Sequence, residues 1–246
     1  MKIISVFLVL LLFFWSCSGS VDTTQMTPEE HFEYAMSLFN DEDYEDALKE
    51  FQAILLQFPG SSVNDDAQYY LGFTYFKREQ YLLAAYEFSK LIRNIPASPF
   101  VADAQYGLAE SYYQLSPPYQ LDQSYTKKAI EEFQAFLDFF PSNSRAEEAE
   151  QKINELNMKL AEKEYNSAYI YEKMEYYSAA IDYYTYVYET YHDTKYAPLA
   201  LYNKINLLID KGRTEEALNN ISTFLERYPD HPYARELGEI QVSLAN

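Results

Sequence analysis

The sequence predicts an all-α protein made of about five stacked helical hairpins, and three regularities predict it. Small residues recur in pairs: Ala35 and Ala47, Gly72 and Ala84, and Ala168 and Ala180 stand twelve apart, while Ala109 and Ala129 stand twenty apart. Ile205 and Ala217 continue the spacing of twelve with a larger first member. Four residues after each second member comes a bulky group, at Phe51, Phe88, Phe133, Tyr184 and Ile221. Twelve residues after it comes Pro59, Pro96, Pro141, His192 or Pro229. Two antiparallel helices approach to the short end of the ~8–10 Å range only where small residues meet at the crossing. Proline lacks an N–H and pushes its predecessor out of the helical region, so it stops the second helix of each pair. Composition agrees. With 48% hydrophobic residues the chain has the apolar surface to fold, and only 6 glycines in 246 residues leave few glycine turns for an all-β fold.

The elements follow in order. Met1-Lys2 is a short positive start, and Val6 to Trp15 is an uninterrupted apolar run of ten. That is about half the ~20 residues a helix needs to span a bilayer, and it reads as the core of a signal peptide. Ser16 precedes Cys17, the one cysteine of the chain, so no intramolecular disulfide can form. Ser18 to Met26 is polar and short-sided, as a flexible tether is. Thr27-Pro28-Glu29-Glu30 supplies an N-cap, a proline at the first helical position and acidic residues on the positive helix end.

The second alanines fall at 47, 84, 129, 180 and 217, in steps of 37, 45, 51 and 37. The eight extra residues of the second step are Ser116 to Gln123, between the helices of the third hairpin. The fourteen extra residues of the third step are close to four helical turns. Arg145 to Lys173 holds neither proline nor glycine, which predicts one extended helix leading into the fourth hairpin. Ile205 is too large for a tight crossing and predicts a splayed fifth hairpin. A final helix near Tyr233 to Leu244 caps the array.

This register resembles that of tetratricopeptide (TPR) repeats, with their ~34-residue period. The resemblance implies a right-handed α-solenoid of about five TPR repeats. Phe14-Trp15-Ser16-Cys17 resembles a bacterial lipobox, with Phe14 and Trp15 bulkier than usual. In such signals the cysteine becomes the first mature residue and carries the lipid. Ser18 behind it fits, by the same resemblance, outer-membrane retention. The lipobox, five repeats, Ser116-Pro117, Asp122-Gln123-Ser124 and the long helix together resemble the BamD family, the TPR lipoproteins of the β-barrel assembly machinery of Gram-negative outer membranes. The likeness divides the chain into a signal peptide (1–16), a lipidated N-terminus and tether (17–27), amino-terminal repeats 1–3 (28–142), and a long helix with repeats 4–5 and a capping helix (143–246).

The resemblance implies a non-enzymatic subunit of the outer-membrane protein assembly (BAM) complex. It would be lipid-anchored on the periplasmic face of the outer membrane through Cys17 and docked by repeats 4 and 5 to a POTRA domain of a BamA-type barrel protein. Its amino-terminal repeats would receive the C-terminal signals of unfolded outer-membrane proteins, which typically end in an aromatic residue. In a TPR array the first helix of each repeat lines the concave face. Here those positions hold Phe32, Met36 and Phe39, then Tyr69, Phe73 and Phe76, then Tyr106, Glu110 and Tyr113, a groove suited to an apolar, aromatic-ended extended peptide. The same positions equally suit packing against a neighbouring repeat. A second reading is another envelope TPR lipoprotein that scaffolds peptidoglycan or cell-division proteins.

Charge and chemistry narrow the field further. A net charge of −19, from 19 basic and 38 acidic residues, argues against nucleic acid and against electrostatic attraction to an anionic membrane, because phosphate binding needs clustered Lys and Arg. His31, His192 and His231 stand far apart, in no metal-ligand pattern. No glycine-rich phosphate motif and no nucleophile–base pair is present, so neither metal, cofactor nor enzymatic activity is expected.

Overall fold

In the computed structural model, residues 22–244 are described; the signal segment and Cys17 lie outside them. The described residues form eleven helices and no strand. They are α1 (Pro28–Asn40), α2 (Tyr44–Gln57), α3 (Asn64–Lys77), α4 (Tyr81–Asn94), α5 (Val101–Leu115), α6 (Ser124–Phe139), α7 (Ala146–Lys173), α8 (Tyr177–Thr190), α9 (Tyr196–Asp210), α10 (Thr214–Arg227) and α11 (Ala234–Leu244). The fold is all-α, five helical hairpins followed by one further helix. The chain divides into two compact units, one ending at Asn64 and one beginning at Asp65.

In the first unit, α1 starts with a capping box. The Glu30 amide donates to Thr27 Oγ1 and the Thr27 amide donates to the Glu30 carboxylate, at 3.2 and 2.9 Å. Ala35 and Ala47 are fully buried where α1 and α2 meet, with Phe51 and Ile54 beneath them. The second unit repeats the design. Gly72, Ala84, Ala109, Ala129, Ala168, Ala180 and Ala217 are buried, as are Phe88, Phe133, Tyr184 and Ile221 four residues on. Ile205 is buried too, and the α9–α10 pair packs less closely than α5–α6 or α7–α8, as its bulk predicts.

Each second helix ends two residues before the predicted stop. The intervening Phe58, Ile95, Phe140, Tyr191 and Tyr228 have φ between −132° and −113° and ψ between 43° and 60°. Tyr191 precedes His192 rather than a proline and bends the same way. A following proline favours this exit, and the fourth hairpin makes it without one.

Four of the five hairpins turn through a residue with positive φ five positions before the second alanine: Glu42 (63°), Glu79 (59°), Glu175 (63°) and Gly212 (69°). The amide of the next residue then reaches back to the carbonyl five positions earlier, as in Asp43 to the Leu38 carbonyl and Gln80 to that of Tyr75, each at 2.9 Å. This is the Schellman closure, usually built on glycine; three hairpins here build it on glutamate.

The insertion and the long helix stand where their spacing places them. Ser116 to Gln123 separates α5 from α6, and α7 runs unbroken for 28 residues. Ala149 and Leu156 of α7 pack with Tyr106, Ala129, Phe133 and Phe136 of the third hairpin. Ala168 packs with Ala180, Tyr184 and Val187 of the fourth. One helix therefore belongs to two cores.

Candidate functional site

The residues expected to line the groove are aromatic apart from Met36 and Glu110, and their surroundings differ. In the first unit Phe32 and Met36 are half-buried, Phe32 tilting on Phe51 at 5.9 Å between centroids, and Phe39 meets Tyr44 edge-on at 5.6 Å. In the second unit Tyr69 stacks on Phe100 at 4.8 Å and on Phe73 at 6.0 Å. Phe73 also lies under the Lys77 ammonium at 5.2 Å, and Phe76 meets Tyr81 edge-on at 5.3 Å. All three keep part of their surface in solvent. Burial pushes the Tyr69 phenol up to about 12.

Tyr106 is different. It is 6% exposed, wedged edge-on between Phe133 and Phe136, and the Arg145 guanidinium covers its ring at 4.3 Å. Its place is the interior of the third hairpin, and the groove expectation is corrected there: Ala149 and Phe133 surround a ring that the register alone would turn toward a ligand. Tyr113 is half-buried under Lys152 at 4.4 Å and donates its hydroxyl to Glu155 at 2.7 Å. Burial first, then that bond, pushes its phenol up to about 12.

One turn before each crossing, three hairpins carry a polar tie with no counterpart in the sequence reading. In the first unit His31 Nε2 meets Glu50 Oε2 at 2.5 Å. In the second, the Gln68 amide donates to both the carbonyl and the carboxylate of Glu87, at 3.2 and 2.7 Å. Gln105 does the same to Glu132, at 3.0 and 2.8 Å. The donors stand four before Ala35, Gly72 and Ala109, and the acceptors three after Ala47, Ala84 and Ala129. A recurring donor and glutamate at those offsets is a signal the spacing could have shown.

The insertion is ordered by its own side chains. Gln123, 4% exposed, donates to the carbonyls of Pro118 and Leu121 at 2.9 and 3.1 Å and accepts from Thr126 Oγ1 at 2.7 Å. The Ser124 amide donates to Asp122 at 2.9 Å, and bonding to Ser124 holds the Asp122 carboxyl below the usual range. From α7, Lys159 reaches Ser116 Oγ at 2.8 Å and Lys163 the Leu121 carbonyl at 2.7 Å. The segment marked out in sequence is thus a braced loop. It stands over a cleft of about 730 Å³ against Asn154, Met158 and Glu162 of α7.

Repeated antiparallel hairpins with small residues at each crossing, bulky residues one turn on and a kinked exit after every second helix define a TPR protein. The particular family is given by sequence. Residues 24–208 match the YfiO family, outer membrane lipoprotein, and the chain belongs to that BamD-like family. No curated protein sequence matches the chain. Among solved structures it is similar to TTC0263, a thermophilic TPR protein of Thermus thermophilus, at 18% identity, over 89% of this chain and 99% of that one, with a TM-score of 0.38. It is similar to YrrB, a TPR protein with an unusual peptide-binding site, at 20% identity over 89% and 95%, TM-score 0.41. MamA of Desulfovibrio magneticus RS-1 is similar at 22% identity over 66% and 75%, TM-score 0.39. These are likenesses of fold.

Proposed function

We propose that this outer membrane lipoprotein is a non-enzymatic TPR subunit of the outer-membrane protein assembly complex. It is anchored by acylated Cys17 on the periplasmic face, and repeats four and five hold the periplasmic region of a BamA-type barrel protein. The observation that carries the reading is the family match across residues 24–208, which spans four of the five hairpins and most of α9. Acyl chains contribute about 0.8 kcal/mol per buried CH₂, so an acidic chain can be held on a membrane without electrostatic attraction. We further propose that half-buried aromatic and methionine side chains of the amino-terminal repeats receive the aromatic-ended C-terminal signals of unfolded outer-membrane proteins. Phe32, Met36 and Phe39 would serve in the first unit, and Tyr69, Phe73, Phe76 and Tyr113 in the second. What supports this is solvent-facing ring surface on consecutive first helices.

Affinity capture from envelope extract tests the assembly role: recovery of a BamA-type protein is expected, and recovery of division or peptidoglycan factors in its place refutes it. Cys17→Ala should release the chain from the membrane fraction. For the groove, Phe73→Ala with Phe76→Ala should weaken binding of an aromatic-ended peptide while the helical circular dichroism is kept; unchanged affinity removes that part.

A further inference from the structure

The polar tie of the first three hairpins is missing from the fourth. Its two register positions are held by Glu164, four before Ala168, and Tyr183, three after Ala180. The carboxylate has moved to the first helix, and the donor that elsewhere meets it, an imidazole or a side-chain amide, is gone. Instead of a closed contact there is an open cavity of about 340 Å³, lined by Glu164 of α7 and by Asp182, Tyr183 and Tyr186 of α8. Among the described residues no side chain donates a hydrogen bond to Glu164 or Asp182 or forms an ion pair with either. Tyr186 is 46% exposed and meets Tyr191 edge-on at 5.8 Å, while Tyr183 stacks on Tyr171 at 5.1 Å. The rings are thus held in place by neighbours outside the cavity.

We propose that this cavity receives the guanidinium of an arginine side chain presented by a partner polypeptide. Three features point to that chemistry. Among the described residues Glu164 meets no cation and Asp182, although Lys204 and Arg213 act on it through space, forms no ion pair; two unpaired carboxylates favour a positive ligand, and desolvating them beside a low-polarity wall strengthens the attraction. Aromatic rings attract cations, and a planar guanidinium both stacks on rings and pairs with a carboxylate through two N–H groups, which an ammonium cannot do. The direct contacts of the protein's own nearby cations lie outside the cavity: Lys173 over Tyr169 at 4.9 Å, Lys204 over Tyr188 at 5.1 Å, Lys211 over Tyr177 at 3.3 Å, and Arg213 on Glu216 at 2.6 Å. The chain as a whole, with a net charge of −19, has no cationic surplus to spare for the site. The partner's arginine takes the place that Gln68 and Gln105 occupy within their own hairpins. The inference does not depend on which assembly the protein serves.

The test uses the full chain in detergent, with ¹³C-labelled tyrosine, titrated with the peptide acetyl-Gly-Arg-Gly-amide and with its citrulline counterpart, which keeps the shape and loses the charge. The expected result is saturable shifts at Tyr183 and Tyr186 with the arginine peptide, weakened by salt, and none with citrulline. Affinity should fall at least tenfold in Glu164→Gln, and a fall in Asp182→Asn, an exposed position, checks the result if Glu164→Gln disturbs the fold. Absence of saturable shifts, equal response to citrulline, or unchanged affinity in both variants would overturn the proposal.

Discussion

Phe88 lies between two glycines, and Gly107→Ala measures how tightly. The ring is 1% exposed and packed among Ala84, Leu91, Ala104 and Leu108. A methyl at Gly107 would stand 2.7 Å from Phe88 Cε2 and 2.8 Å from Cζ; on the other side, one at Gly72 would stand 2.9 Å from Cδ1. Carbon atoms rest at about 3.5–4.0 Å, so the ring would have to give by most of an ångström, toward a glycine that already touches it. Overpacking of this kind costs about 1–3 kcal/mol. Against it, alanine gains about 1 kcal/mol over glycine in a helix interior. The net loss is about 0–2 kcal/mol, which lowers Tm by up to about 8 °C in a chain of this size and leaves the variant about 1–3 kcal/mol below a glycine-to-alanine change that meets no clash. Thermal unfolding followed by circular dichroism reads it. Gly238→Ala is the control, since nothing lies within 4 Å of its Cβ position; there the helix gain should appear alone and Tm should rise. Adding Phe88→Leu to Gly107→Ala should recover about 1 kcal/mol relative to the sum of the single changes. A Gly107→Ala variant as stable as Gly238→Ala would refute the sandwich.

Glu42→Gly, Glu79→Gly and Glu175→Gly should each stabilise by about 1 kcal/mol in chemical denaturation, since a side chain at positive φ costs about 1–3 kcal/mol and glycine avoids most of it; a loss would mean that these glutamates make contacts outweighing the strain. Gln123→Ala removes three hydrogen bonds from the loop, while Thr126 keeps Ser116, the Leu121 carbonyl keeps Lys163 and the Pro118 carbonyl keeps the Leu121 amide, so the cost should be the roughly 0.5–1.5 kcal/mol of each bond lost, with new protease cleavage within 116–123 as the readout. Tyr69 and Tyr113 stay neutral in the fold up to about pH 12 against about 10 in the unfolded chain. Their stabilisation is therefore complete below pH ~10 and lost as pH rises toward ~12. Phenolate absorbance should show a late-ionising fraction that Tyr69→Phe with Tyr113→Phe makes smaller.

The hairpin register was legible because its cause is steric and local: a small residue at a crossing leaves its mark at one position whatever surrounds it. The eight-residue insertion and the 28-residue helix followed from the same count, since a loop disturbs the register and whole turns preserve it. What stayed hidden depends on partners far away in sequence. Nothing near Tyr106 announces that Arg145, 39 residues on, will close over its ring. Gly72 was readable as a crossing residue, but Gly107 became meaningful only when both glycines met one phenylalanine. Glu42, Glu79 and Glu175 gave no sign of their positive φ, because charge is their visible property while backbone conformation is imposed by the hairpin on either side.

A helix shared by two hydrophobic cores has a thermodynamic consequence. In most repeat arrays each unit meets only its neighbours across an interface, and melting can stop at any boundary. Between the third and fourth hairpins there is no such boundary, because fraying α7 at one end strips Ala149 and Leu156 from one cluster and at the other strips Ala168 from the next. The span from α5 to α8 should exchange its amide protons as a single block, with α9 and α10 joined to it through Ala200, Leu207, Leu208 and Ala217 of the same cluster, leaving α11 as the place where opening begins in this unit.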